Sequence, residues 1–336
     1  MKGLKKLTLA TAIAAAPFAA NAELKAMNDI AMGDVTGQSG VTIELSTKVD
    51  IGEVAYQDDG FLAISGLSIG GAYDPATGAQ GNLDDVKLMI DVAGTGGVAD
   101  TGAGAVGNAY LEGAAIAKPN VSWTNTQTTS TDPATTPAAA ANEAGMPQIE
   151  DGDLVIGIRS VSGAPVDFGV GIDSVKLAKS TESANLGNLG AGTGTTLISN
   201  FKMSGMLGPI DVVIQENQNA MNVNAYFNAQ GTLNADFVGT YIDFKLHNSR
   251  GTDTNGLTIV DANNNTLVDT SFAHAQVDIG KATNAAGNDA LAFNVNDFSG
   301  DLDLTNIRMG SANAASIGDV YLTDMKINAQ MTVYGH

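Results

Sequence analysis

The sequence predicts an all-β protein, and three observations lead there. Apolar residues alternate with polar ones over most of the chain, the period that gives a strand one apolar and one polar face. Glycine punctuates the alternation with 40 copies in 336 residues, while aromatics make up only 5%. A short unit also recurs: apolar, Ser/Thr/Asp, Asn/Asp/Gly/Ser, apolar, any residue, apolar. Small residues and thin strands fit an extended antiparallel sheet: an elongated sandwich, roll or flattened barrel with glycine-rich loops and a short N-terminal helix.

The recurring unit reads Leu304-Thr305-Asn306-Ile307-Arg308-Met309, Ile64-Ser65-Gly66-Leu67-Ser68-Ile69, Ile198-Ser199-Asn200-Phe201-Lys202-Met203 and Leu322-Thr323-Asp324-Met325-Lys326-Ile327. Looser copies are Leu83-Asp84-Asp85-Val86-Lys87-Leu88 and Ile172-Asp173-Ser174-Val175-Lys176-Leu177. The polar pair suits a kink, because Asn, Asp and Gly tolerate left-handed backbone and Ser, Thr and Asp bond locally. The copies follow no fixed period, so a solenoid is not expected. In the last copy Val320 and Leu322 alternate ahead of the pair, and Met325, Ile327, Ala329, Met331 and Val333 follow it in the opposite phase. Such a break predicts a bulge or bend that moves the buried set to the other side of the ribbon.

In chain order, Lys2, Lys5 and Lys6 precede an apolar run from Leu7 to Ala20. Ala20-Asn21-Ala22 then reads as a small-x-small processing site, so residues 1–22 are expected to be a secretory signal and the mature chain to begin at Glu23. Leu24, Met27, Ile30 and Ala31 are at helical spacing before Gly33, predicting one or two helical turns. Val41, Ile43 and Leu45 alternate clearly, Val49, Ile51 and Val54 extend the strand, and Asp58-Asp59-Gly60 turns it into a partner running from Phe61 to Ile69. From Ala93 to Gln148 the texture becomes rich in Gly, Ala, Thr and Pro, and Thr124 to Ala141 reads as a loop or linker with Trp123 at its edge as a packing anchor. Alternation resumes through Leu154, Ile156 and Ile158, pauses at Gly187 to Gly194, and returns through Val212, Ile214, Val223, Ala225 and Phe227. Turns at 253–256 and 263–265 flank Leu257 to Val260, and strands from Leu291 to Val333 close the chain. The expected division is 1–22, 23–92, 93–148 and 149–336, with the last able to form one domain with 23–92.

The run from Met27 to Leu45, with Val35-Thr36-Gly37-Gln38-Ser39-Gly40 leading into an alternating strand, resembles the start of FilA-type pilus-system proteins of Gram-negative bacteria. It is also similar to a related exported domain of unknown function. The resemblance covers roughly the first 50 mature residues. It implies a cell-surface fibre or adhesion system and supplies no catalytic residue.

The net charge of −20 becomes −23 once the three lysines of the signal are removed. That argues against nucleic acid, whose phosphates need Lys and Arg, and against docking on an anionic membrane face. With no cysteine, an exported chain must be held by burial rather than disulfides. No stretch after the signal is long and apolar enough for a transmembrane helix. An outer-membrane barrel, suggested by the ending from Met331 to His336, is disfavoured by the few aromatics and long polar loops.

Motifs with chemical meaning are weak. Gly66-Leu67-Ser68-Ile69-Gly70 has the pattern of a nucleophile elbow but lacks the following helix, and His274 and His336 have no triad context. Gly102-Ala103-Gly104-Ala105-Val106-Gly107 lacks the βαβ setting of a dinucleotide site. His247, His274 and His336 lack metal-type spacing. Aspartates at Asp58-Asp59, 253–255 and 297–303 are turn formers whose oxygens could take calcium, without a complete loop; no cofactor is expected.

The resulting expectation is an exported, non-enzymatic surface protein, structural or adhesive, at the cell surface, outside it or in the periplasm. Its partners would be itself or other envelope proteins. Assembly strands are expected at Val41, Ile43 and Leu45 and at Met325, Ile327, Met331 and Val333, adding to an open sheet edge. The competing expectation is an envelope binding module for a glycan, lipid or hydrophobic ligand.

Overall fold

The protein is all-β and its sheets are antiparallel in this computed structural model, which describes residues 41–74, 76–92, 121–125, 152–162, 164–252, 254–260 and 266–335. The chain divides into a unit of Met1–Ser39 and a unit of Gly40–His336, and all described residues belong to the second. The expected signal and its processing site at Ala20, Ala22 and Glu23, the short helix, and most of the 93–148 linker fall outside the described residues.

Among the described residues the main sheet has 12 strands. Four are long and uninterrupted: β8 (Thr195–Gln215), β9 (Ala220–Ala235), β14 (Asp289–Met309) and β15 (Gly318–Val333). The others are β1 (Val41–Thr47), β2 (Val49–Gln57), β3 (Gly60–Gly70), β4 (Leu83–Val92), β6 (Leu154–Ser160), β7 (Val166–Lys179), β10 (Thr240–His247) and β13 (Ala273–Thr283). These eight work as interrupted pairs: β1 with β2, β3 with β4, β6 with β7, and β10 with β13. Each member of a pair borders a different half of its neighbour. Thus β6 lines Ile210 to Ile214 of β8, while β7 lines Thr195 to Leu207. Likewise β13 takes Ala220 to Phe227 of β9 and β10 takes Ala229 to Ala235. The sheet is therefore an up-and-down meander of eight ribbons, divided by a seam. The first half holds β1, β4, β6 and β13, and the second holds β2, β3, β7 and β10; β8, β9, β14 and β15 run through both.

A small sheet of β5 (Val121–Asn125), β11 (Asn255–Val260) and β12 (Thr266–Ser271) interrupts the β10–β13 ribbon. It corrects two expectations. Thr124 and Asn125 are strand rather than the start of a loop, and Asn255 and Gly256 pair with Asn125 and Thr124 rather than turning. A partner strand from far along the chain supplied the ladder that local composition did not foretell.

The recurring unit is a bulge. Its third residue has a left-handed backbone in five of the six copies: Gly66 (φ 64), Asp85 (φ 59), Asn200 (φ 46), Asn306 (φ 52) and Asp324 (φ 52). Its effect on the faces differs from expectation. Directly paired residues of antiparallel strands share a face. Leu322 pairs with Leu302 and Val320 with Leu304, while beyond the bulge Ile327 pairs with Phe298 and Met331 with Phe293. The apolar residues on both sides of the break thus stay on one side of the sheet. The left-handed residue absorbs the extra position, so the break in alternation preserves the apolar face instead of reversing it.

That face is not the enclosed one, contrary to the expectation that the apolar side of each strand is buried. Among the described residues, fourteen polar or charged side chains are buried against thirteen apolar ones, and no Ile or Met is among them. In the first half the enclosed side carries Val155, Arg159, Asp211, Val213, Asn222, Asn224, Tyr226, His274 and Gln276. The opposite side carries Ile156, Val212, Val223, Val277 and Val295, all half-buried, and Ile43 and Met331 at the edges, 42% and 54% exposed. Alternation states that a strand has two unlike faces; it does not state which faces inward.

Candidate functional site

Two features stand out: the edges of the sheet and the seam. The expected assembly residues fall at both edges. Val41, Ile43 and Leu45 lie on β1, which among the described residues pairs with β4 alone, as β2 pairs with β3 alone. Met325, Ile327, Met331 and Val333 lie on β15, which among the described residues pairs with β14 alone. Among the described residues the two sets do not meet, since they end opposite sides of the meander. Their directly paired neighbours, such as Leu88 opposite Ile43 and Phe293 opposite Met331, place them all on the outward apolar face.

At the seam, polar side chains knit the interrupted ribbons together. Arg159 on β6 meets Asp211 on β8, and its guanidinium also donates to the Ile210 carbonyl at 2.8 Å. Burial pushes the Asp211 carboxyl above its ordinary range, against the opposing pull of Arg159. His274 bridges Asp297, at 3.1 Å, and Asn224, and Tyr226 stacks on its ring with centroids 4.7 Å apart. Asn222 donates to Asp278 at 2.6 Å, and Asn296 donates to the other Asp278 oxygen at 2.6 Å.

Beyond His247 the chain turns over the inner face. The backbone N–H groups of Ser249 and Arg250 donate to Asp301, at 2.9 and 2.8 Å. The Arg250 guanidinium donates to Asp303 at 2.6 Å, and that bond holds the Asp303 carboxyl below its ordinary range, helped by His247. Thr252 donates its backbone N–H to the carboxylate of Asp324, the bulge residue of β15, at 3.0 Å. Asp85, the bulge residue of β4, takes the Ser162 N–H at 2.7 Å from the β6–β7 crossing. The bulge units at the seam therefore hold the crossings of neighbouring ribbons in place, a role their local spacing could not reveal.

His247 lies between Ser249, whose hydroxyl is 2.9 Å from Nδ1, and Asp303, 3.2 Å from Nε2. Arg250 approaches the same Nε2 at 3.3 Å and occupies the carboxylate. The cluster is thus an ion-pair network that fixes the turn after β10. Gly66-Leu67-Ser68-Ile69-Gly70 lies inside β3 rather than at a strand-to-helix turn, and the Ser68 hydroxyl is 2.8 Å from that of Tyr73. Among the described residues no group of three or more His, Asp or Glu side chains is disposed to hold a metal ion.

A cavity of about 590 Å³ opens where the seam turns meet the inner face, lined by Ser204, Gln230, Lys245, Asn248, Ser249 and Ser271 among others. Sequence reasoning missed it, because its walls come from β8, β9, β10 and the turn after β10, and no single stretch carries the pattern. No helix among the described residues is long and apolar enough to cross a membrane.

The model of a family of unknown function (DUF6160) matches residues 1–94. That match contains the run from Met27 to Leu45. No curated protein and no solved structure matches the chain.

Proposed function

We propose that the chain is an exported, non-enzymatic surface protein, structural or adhesive, that assembles through β-strand contacts into a fibre of the cell envelope. The observation that carries this reading is the pair of sheet edges left open among the described residues, β1 with β2 on one side and β15 on the other. An even number of ribbons makes those edges antiparallel when one copy follows another, so the ladder can continue from copy to copy. Aligning the two seams, Lys48 against Asp324, sets Leu45 opposite Ile327 and Val41 opposite Met331, apolar against apolar. A heterologous contact of this kind builds an open array unless it closes on itself.

The chain has no cysteine, which makes the test clean. Leu45→Cys and Ile327→Cys would be placed in separate copies of the full chain, mixed and oxidised. Cross-linked pairs from the mixture, and a ladder of multimers from the double variant, are the expected result. A double variant that cross-links only within one copy would mean the sheet closes on itself and would overturn the assembly reading, as would the absence of any cross-link.

A second reading, an envelope binding module for a glycan, lipid or hydrophobic ligand, is favoured by one observation: the cavity at the seam, with Gln230 and Lys245 in its wall.

A further inference from the structure

We infer that the outward apolar face of the main sheet is a docking surface for the hydrocarbon of a phospholipid bilayer. The inference concerns the face that edge pairing leaves uncovered, so it holds whether the edges meet within one copy or between copies.

The register of the strands carries the argument, because directly paired residues share a face. A row from Ile43 through Leu88, Ile158 and Ile210 to Phe298 and Ile327 crosses all eight ribbons, completed by Ala225 and Ala275. Beside it a row runs from Val41 through Ile156, Val212, Val223 and Val277 to Val295. In the second half Val49, Ile69, Val170, Met203, Phe244 and Leu304 form another, joined through Gly231. No charged side chain stands in these rows. The charges of the same strands fall on the enclosed side, where Glu44, Lys87 and Arg159 make one row and Asp211 lies in line with Asn224, Gln276 and Asp297. A sheet built for water places its faces the other way round.

Extent and curvature decide the occupant. Water-soluble monomers rarely expose an apolar patch beyond about 300–600 Å². A stable contact with a second protein covers about 800 Å², or about 20–30 residues a side. Rows that cross every ribbon in both halves exceed what one such contact covers. Side chains on the enclosed side are buried while those opposite are half-exposed, the pattern of a sheet bent around its inner side. A rigid copy meets a convex face along only part of it, whereas acyl chains follow it throughout. At one end of this face Ile214, Met221, Ile279, Leu291 and Val333 also line a groove of about 650 Å³. Because the acidic groups named above stand on the other side, the contact is with acyl chains and not with headgroup charge.

The test uses the full chain and vesicles of phosphatidylethanolamine with phosphatidylglycerol. The chain should float with the vesicles and remain bound at about 1 M salt, where charge attraction is screened. Val223→Lys combined with Val277→Lys places two charges at the centre of the face and should weaken binding about tenfold or more. A second measurement does not depend on that variant folding. The chain has no cysteine, so Val223→Cys and, on the enclosed side, Gln230→Cys each take a single fluorescent label. Brominated acyl chains should quench the label at 223 and spare the label at 230. Failure to float, release by salt, or equal quenching at the two positions overturns the inference. So does a dimer in water whose label at 223 is shielded from iodide and untouched by brominated lipid, because a second copy then covers the face. Cross-linking of Leu45→Cys with Ile327→Cys reads the edges rather than this face, so either result can fail alone.

Discussion

The first half of the sheet encloses Arg159, Asp211, Asn222, Asn224, His274 and Gln276, whereas the second packs Phe61, Ala63 and Ala178 beneath Leu189. The second half achieves this by bringing the segment between β7 and β8 over its inner face, where Lys176 donates to the carbonyls of Gly190 and Gly192, both at 2.8 Å. Glu53 on β2 takes the Gly187 N–H at 2.7 Å from the same segment. The same antiparallel ribbons thus support two interiors, one held by hydrogen bonds and charge pairs, the other by a small apolar cluster. Directional bonds penalise the loss of one partner, while an apolar cluster penalises lost volume.

The sharpest way to break the comparison is Arg159→Ala. It leaves Asp211 buried without its cation and should cost about 3–5 kcal/mol by denaturant unfolding. The double variant Arg159→Met with Asp211→Leu should recover most of that loss; if it does not, the pair is not what holds the first half. In the second half Phe61→Ala should cost about 3 kcal/mol or somewhat more. Hydrogen exchange should then show β3 and β7 opening ahead of β6 and β13, and uniform opening would mean the halves are not separable.

Bulge chemistry gives a smaller effect. Asn200 has a left-handed backbone at φ 46, so Asn200→Val should cost about 1–2 kcal/mol, while Asn200→Gly should be near neutral. Equal effects from the two would show that backbone conformation is not the constraint. Smaller still is the acid response of the seam. Asp303 has a lowered pKa when folded, so its contribution is present above the unfolded carboxylate value and is lost as pH falls through the folded one. Asp303→Asn should flatten the acid limb of a stability-against-pH curve below about pH 4, by roughly 1 kcal/mol for a pair partly open to solvent. The smallest change is expected on the outward face, where Val223→Thr should remain within about 0.5 kcal/mol. A large loss there would mean that this face is covered in solution, most simply by a second copy.

Much of this was legible in the residues. Val41 to Leu45, Leu154 to Ile158 and Met325 to Val333 announced strands, and the recurring polar pair announced its own backbone break. The placing of Gly66-Leu67-Ser68-Ile69-Gly70 within a strand also followed from the missing helix signal. The direction of the faces was not legible, because period two is the same whether the apolar side points in or out. Nor was the seam cavity, whose wall gathers Ser204, Gln230, Lys245 and Asn248 from separate strands and a turn.

By itself the sequence determined the β class, the positions of the strongly alternating strands and most of the left-handed bulge residues, since each depends on side-chain alternation and local backbone sterics within a few residues. Tertiary structure alone decided that polar groups would be enclosed, that β6 and β7 would share one long neighbour, and that Asn248 would be sealed without a partner. Those outcomes depend on which distant strands pair and in what register, and pairing between ribbons is settled by the free energy of the whole sheet rather than by any stretch of it.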